Sequence, residues 1–500
     1  MMKSFFRRLL CSLGLLVALG SGILQARDVL VENPEELKAA IGRARAGDIL
    51  ILKKGEWRDA AIVVDKGGRA KSPVVLRAEV PGETILCGAS SIEINAPYVT
   101  VDGLFFRDGA TTGQAVILFN SDHGVVSNTA IVDYNPPSFE TECYWVFFNG
   151  DSNELDHCYF KGKNNRQPLI GNAIEDSRHH RVTRCYFKDI PYAAANGREI
   201  IRVWGAGKFG PDDKDGAFFT IAENLFDHAD GEGTEIISLK SNYNTVINNT
   251  VVASRGCLNI RRGNFNTVQG NIILGEGILG AQGLRMSGEK NLVQGNYVSG
   301  CEYGIQVSTG EYMNAALSND YTPNIKGKSG AAQEPVATYP QNREVTISDN
   351  VTVGISGADL EIGSGYKKHW PEAQLVLIPE DCIIKNNRFV RPDGGESVIG
   401  TTPEKTGPLA KLKFKPNKFM GNVLVGGTNA YPPASSGFRS QHLPHGWTEA
   451  RERAALKPLT ADDVGPDWII AQRRAGKLLM ESSSVPTSVG TRRETTPGGT

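Results

Sequence analysis

Thr220-Ile221-Ala222-Glu223-Asn224-Leu225-Phe226 states a phrase that the chain keeps repeating: a few β-formers, a polar pair ending in Asn, then more β-formers. It returns as Thr245-Val246-Ile247-Asn248-Asn249, as Thr267-Val268-Gln269-Gly270-Asn271 and as Leu292-Val293-Gln294-Gly295-Asn296, so that the closing asparagines stand 25, 22 and 25 residues apart. Looser copies precede it at Val125-Val126-Ser127-Asn128, Glu154 to Phe160 and Arg181 to Phe187, and others follow at Thr346 to Asn350 and Ile383 to Asn387. A period near 25 with several short strands per repeat predicts an all-β chain, a single right-handed parallel β-helix in which each coil buries the next. Leucine-rich repeats share the period, but their fixed Leu spacing is absent. An ordinary β-sandwich with Asn in its turns is the alternative, and nine copies argue against it. Asn suits a repeated corner because it tolerates left-handed geometry and its amide can bond along a stack of identical turns.

The composition agrees. Five hundred residues exceed what one compact core usually supports, so the chain is either several domains or one elongated repetitive one. Hydrophobic residues at 40% and charged residues at 22% exclude collagen, wholesale disorder and a polytopic membrane protein. Lys plus Arg (54) nearly cancels Asp plus Glu (55), so no global field marks a nucleic-acid or membrane-surface binder.

Residues 1–26 read as an export signal: Lys3, Arg7 and Arg8, then an apolar run from Leu9 to Leu24, then Ala26. The run is broken by Ser12, Gly14, Gly20, Ser21 and Gly22, which disfavours a membrane span. A secreted or periplasmic protein is therefore expected, with no membrane association after cleavage. Cleavage would move the formal charge from -1 to -4 and leave seven cysteines, an odd number with no zinc spacing. Buried thiols are expected rather than a disulfide framework.

The solenoid is expected over 27–430. Asn33 and Pro34 predict an N-terminal capping helix, with the first strand at Asp48 to Leu52. Residues 431–480 are expected to form a C-terminal extension against the coil, including a helix from Glu449 to Leu456, and 481–500 a disordered tail. His179-His180 is expected as a surface pair at a turn, and the loop around Lys208 as an insertion over a cleft.

Positions one coil apart in sequence lie one strand spacing apart in space, about 4.8 Å. Lys240 and Arg261 are 21 residues apart and Arg285 follows 24 later, so the three are expected to stack as a cationic column. Stacked cations repel one another and suit a bound polyanion. Acidic and amide groups lie close by, in Asn196-Gly197-Arg198-Glu199 and in Asp230-Gly231-Glu232-Gly233-Thr234-Glu235. Oxygen ligands of this kind suit a hard cation, and they equally suit neutralising the basic column. Strict alternation puts Glu235 and Lys240 on opposite faces, so a shared cleft demands a bulge between them.

The phrases Asn196-Gly197-Arg198-Glu199-Ile200-Ile201-Arg202, Glu235 to Ser241, Asn259-Ile260-Arg261-Arg262-Gly263 and Gly283-Leu284-Arg285 resemble polysaccharide lyase family 6, the alginate lyase and chondroitinase B family. Ala46 to Leu52 and Pro458 to Pro466 resemble it too. The resemblance implies β-elimination on a uronate polysaccharide, an anionic polymer, with no organic cofactor. Lys240 would match the general base at C5, and Arg261 the acid or leaving-group stabiliser. Arg285, Arg262 and Arg202 are expected to bind substrate. Asn196 and Glu235 would match two calcium ligands. Gly233 stands where calcium-dependent members carry a second Glu, so either Glu232 serves as the substitute ligand or a basic side chain neutralises the carboxylate without a metal, and weak calcium dependence is the expectation. Alginate is the expected polymer, with dermatan sulfate as the alternative. Outside the lyases stand a β-helix glycoside hydrolase, which needs a flanking carboxylate pair, and a non-catalytic adhesin.

Overall fold

The structure, a computed structural model, describes residues 26–205, 215–313, 339–367, 369–370 and 373–477. The export signal, apart from Ala26, the loop around Lys208 and the tail lie outside the described residues. Three parallel sheets of 14, 13 and 14 strands run the length of the molecule, each strand pairing with its counterpart one coil away. This is the parallel β-helix that the repeat predicts. Within the described residues no helix is long and apolar enough to cross a membrane.

The core follows from the repeat. Val182, Ile221, Val246, Val268, Val293, Ile347 and Ile384 stand in register, coil upon coil, and every one is buried. Beside this apolar column runs a ladder of buried amides. Asn224, Asn249, Asn271, Asn296, Asn350, Asn387 and Asn422 each accept, through Oδ1, the main-chain N–H and the amide of the preceding member at 2.9 to 3.0 Å, Asn224 itself taking the N–H of Cys185. The left-handed backbone expected of these asparagines falls one residue earlier, at Glu223, Asn248, Gly270, Gly295, Asp349 and Asn386. The two duties of the corner are thus split between neighbours. The seven described cysteines are free and buried.

Three boundaries differ from expectation. A strand at Asp28–Val31 precedes the capping helix and pairs with Ile49–Leu52, because its alternating Val29 and Val31 can join the coil's edge. The helix itself spans Pro34–Arg43, with the Asn33 side chain accepting from Glu36 N–H. At the other end Phe438–Gln441 adds a final strand beyond 430, pairing with Asn422–Val425, and the later helix is only Glu449–Arg453. His180 is buried, not superficial: its ring stacks on Phe148 and meets Ser177 Oγ, and burial pushes its pKa down to about 3.

The C-terminal segment runs back along the outside of the coils. Glu452 takes both guanidinium nitrogens of Arg388, and Arg453 reaches Ser299. Leu459 N–H bonds Thr250, Gly465 N–H bonds Arg184 O, and the Trp468 indole donates to Asn128 O.

Candidate active site

The candidate site lies on the 13-stranded sheet, where irregular register re-aims side chains. Strand Glu235–Lys240 pairs with Gly256–Arg262, and the register shifts twice, between Glu235 and Ile237 and between Leu239 and Lys240. Cys257 faces Glu235 while Leu258 faces Ile237, so Ile236 is an extra residue; this is the bulge that brings Glu235 round to the face of Lys240. Ile260 faces Leu239 while Arg262 faces Lys240, which makes Arg261 an extra residue too. A third shift follows between Gly256–Arg262 and Ala281–Met286.

These shifts correct the expected column. The residues truly level with one another are Arg202, Ser238, Asn259, Arg285 and Gln306. Arg285 is level with Asn259, and Lys240 is level with Arg262; Arg261 bulges between them. Counting residues from coil to coil misses such insertions because they leave the mean period unchanged.

Around this strand three carboxylates come within 4.8 Å of one another: Glu199, Glu232 and Glu235. Glu199, which the sequence groups with the acidic residues near the column but does not single out, is 2% exposed and takes Lys240 Nζ on Oε1 at 2.8 Å. Its Oε2 lies 3.7 Å from Arg202 and has no hydrogen-bond partner among the described residues. Glu235 accepts Arg285 at 2.7 Å and the Asn259 amide at 2.8 Å, with Arg261 Nε at 3.7 Å. Burial alone would raise the Glu235 pKa, but Arg285, Lys240 and Arg261 hold it below the usual carboxylate range. Glu232 has only backbone partners, the N–H groups of Gly197 and Arg198. Burial, then Glu199 and Glu235, push its pKa up to about 7.

Arg198 explains how the two acidic loops meet. Its buried guanidinium donates to the carbonyls of Lys163, Asn165, Pro191 and Gly231, stapling three successive turns together. Gly233 has φ +75°, and a Cβ there would come within 2.5 Å of the Tyr192 ring, so no side chain fits that position without moving Tyr192. Asn196, expected as a ligand, is exposed, and its side chain has no hydrogen bond among the described residues. Glu199 lies just before the strand Ile201–Trp204, whose Trp204 is the residue level with Lys240, so the two meet through the long Lys240 side chain and not through the register.

The remaining cations are fixed as well. Arg202 donates to Tyr144 Oη at 2.8 Å and lies over Trp204, whose ring also faces Lys240 Nζ at 4.8 Å. Arg262, expected to meet substrate, is 3% exposed; burial and then Arg261 lower its pKa to about 9. Its guanidinium therefore belongs to the interior, not to a surface open to a polymer.

Three buried carboxylates set beside Lys240, Arg202, Arg261 and Arg285 on a β-helix make a charge pattern suited to an acidic polymer. The comparisons with known proteins identify the family. A family model described as chondroitinase B matches residues 31–322. A family 6 polysaccharide lyase from Pseudopedobacter saltans is 39% identical over 88% of this chain and 99% of its own, with a TM-score of 0.77. The family 6 alginate lyase AlyGC is 26% identical over 88% of this chain and 58% of its own, with a TM-score of 0.73. A mannuronic acid specific family 6 lyase from human gut microbiota, 22% identical over 90% of this chain and 98% of its own, shares the fold with a TM-score of 0.72. No curated protein matches. The chain belongs to polysaccharide lyase family 6.

Proposed function

We propose that this polysaccharide lyase cleaves alginate by β-elimination, with Lys240 as base and Arg261 stabilising the leaving oxygen. The observation that carries the proposal is the pair of bulges that brings Glu235, Lys240 and Arg261 onto one face of adjacent coils. The family 6 relative titled an alginate lyase supports the choice of polymer.

In the proposed reaction the C5–H bond of a uronate breaks and its proton goes to Lys240 Nζ. The electron pair left behind forms the C4–C5 double bond while the C4–O bond breaks, and the departing oxygen takes up a proton to become a hydroxyl. The hard part is removing a proton beside a carboxylate, since negative charge builds up next to existing charge. Fixed cations lower that cost, and Arg202 and Arg285 are both held in place without reorganisation. Lys240 must be neutral when it accepts the proton, and Glu199, at 2.8 Å, orients Nζ. A guanidinium is a poor proton donor in the acid sense, so Arg261 acts as a hydrogen-bond donor to the leaving oxygen while water delivers the proton.

Three carboxylates within 4.8 Å, with Glu199 Oε2 lacking a partner, fit a hard cation. Glu199, Glu232 and Glu235 would hold calcium, which would neutralise the uronate carboxylate. Because Arg202 and Arg285 already face Glu199 and Glu235, the proposed calcium dependence is partial. Export directed by residues 1–26 would place the enzyme where such polymers occur.

The test is ultraviolet absorbance of the purified protein with alginate, polymannuronate, polyguluronate and dermatan sulfate in parallel. Unsaturated uronate should accumulate with alginate or one of its blocks, and Lys240→Ala should keep polymer binding while losing turnover. Product from dermatan sulfate alone would replace the polymer. Saccharide products without the chromophore would indicate hydrolysis and end the elimination mechanism.

A further inference from the structure

Arg261 is an extra residue in its strand, so the ladder that fixes its neighbours does not fix its side chain. What holds it comes from elsewhere in the chain. The guanidinium carbon lies 3.6 Å from the centroid of the Tyr339 ring, the shortest cation–ring contact among the described residues. Along one edge, Nε faces Glu235 Oε1 at 3.7 Å. Nη1 is buried and has no hydrogen-bond partner among the described residues. The group is therefore gripped on one face and one edge while a charged N–H is left without an acceptor, a costly arrangement in a buried place unless something arrives to accept it.

Tyr339 is itself anchored by the main chain. Glu311 N–H donates to Tyr339 O at 2.7 Å, and Tyr339 N–H donates to Glu311 Oε2 at 3.2 Å. The ring is thus presented from outside the coil that carries Arg261. A guanidinium on a flexible stem loses rotamer freedom when it is ordered, and a flat aromatic face that is already in place reduces what must be ordered on binding.

We infer that Tyr339 is a positioning residue for the elimination, whose ring face holds the partly exposed Arg261 guanidinium toward the departing oxygen. The inference rests on the function proposed above. The contact is made by the ring face, so the hydroxyl is not needed.

The experiment measures kcat and KM of the full chain on whichever uronate polymer the wild type cleaves, for Tyr339→Phe, Tyr339→Leu, Arg261→Ala and the Tyr339→Leu/Arg261→Ala double variant. Tyr339→Phe should stay within about twofold of wild type, whereas Tyr339→Leu should lower kcat roughly tenfold to a hundredfold at near-constant KM. In the Arg261→Ala background the leucine substitution should cost nothing further, because the group it positions is gone. Tyr339→Met, closer in volume to the ring, repeats the measurement should leucine cost the fold. Unchanged kcat in Tyr339→Leu, or losses that add fully in the double variant, would overturn the inference alone. A Phe variant as impaired as the Leu variant would also overturn it, by showing that the hydroxyl does the chemistry. If the wild type makes no unsaturated product from any uronate polymer, the proposed function falls and this inference with it.

Discussion

Replacing Asn271 with Ala should cost about 2 to 4 kcal/mol of stability, a large effect for one polar side chain. Asn271 is fully buried in the middle of the amide ladder. Its Oδ1 accepts the main-chain N–H of Asn249 at 3.0 Å and the Asn249 amide at 2.9 Å; its own amide donates to Val246 O at 3.0 Å and to Asn296 Oδ1 at 2.9 Å. Alanine removes all four. The Asn249 amide keeps Ile221 O and Ile247 O, but the Asn249 main-chain N–H loses its acceptor inside the core, a loss worth about 1 to 3 kcal/mol by itself. The empty volume adds the rest. Asn271→Asp is the sharper test. It keeps the shape and the acceptor but sets an oxygen against Val246 O and Asn296 Oδ1, so at neutral pH it should destabilise more than alanine does. Equilibrium urea unfolding followed by circular dichroism measures both, with Gln269→Ala, on the half-buried outer face of the same coil, as a control expected within about 0.5 kcal/mol of wild type. An alanine variant as stable as that control would refute the idea that the ladder holds the coils together.

Two further outcomes concern the carboxylates. Glu232 binds its proton more tightly folded, with a pKa of about 7, than unfolded, so in chelator the wild type should lose stability relative to Glu232→Gln as pH rises from about 4.5 through 7, and the gap should be largest above that window; a pH-independent difference in unfolding midpoint would show that Glu232 is not raised. Chelator should reduce lyase activity only in part; complete loss restored by calcium would show that the cations around Glu199 and Glu235 cannot replace the ion.

How much of the molecule is legible in its sequence depends on period. The stacking of Val246 on Val268 and of Asn249 on Asn271 follows from a spacing that repeats, so fold and ladder can be read from residue order alone. The site is built from departures from the repeat. Arg261 and Ile236 are single insertions, invisible to a count that tolerates intervals of 22 and 25 residues, and they decide which side chains meet. Alternation does demand a bulge between Glu235 and Lys240, so that much is deducible. Glu199 escapes assignment to Lys240 because Trp204 is the residue level with that lysine, and the contact depends on the reach of the Lys240 side chain, which residue order does not reveal. Arg262 reads as available because charge predicts exposure, and the bulge overrides that rule by turning it inward. Tyr339 has no local signal at all; its meeting with Arg261 depends on a segment that leaves the coil.

The C-terminal segment bears on how the molecule comes apart. In a solenoid each coil knows only its neighbours, so disorder can begin at an end and creep inward one rung at a time. Here one stretch of chain ties Arg388, Ser299, Thr250, Arg184 and Asn128 in turn, touching coils far apart along the axis. The coils between Asn128 and Arg388 cannot separate without also peeling a strap whose other contacts lie on intact coils. A structure assembled from local interactions thereby acquires long-range cooperativity, and the coils that carry the candidate site, which lie between the strap's two ends, are shielded from partial melting at either terminus.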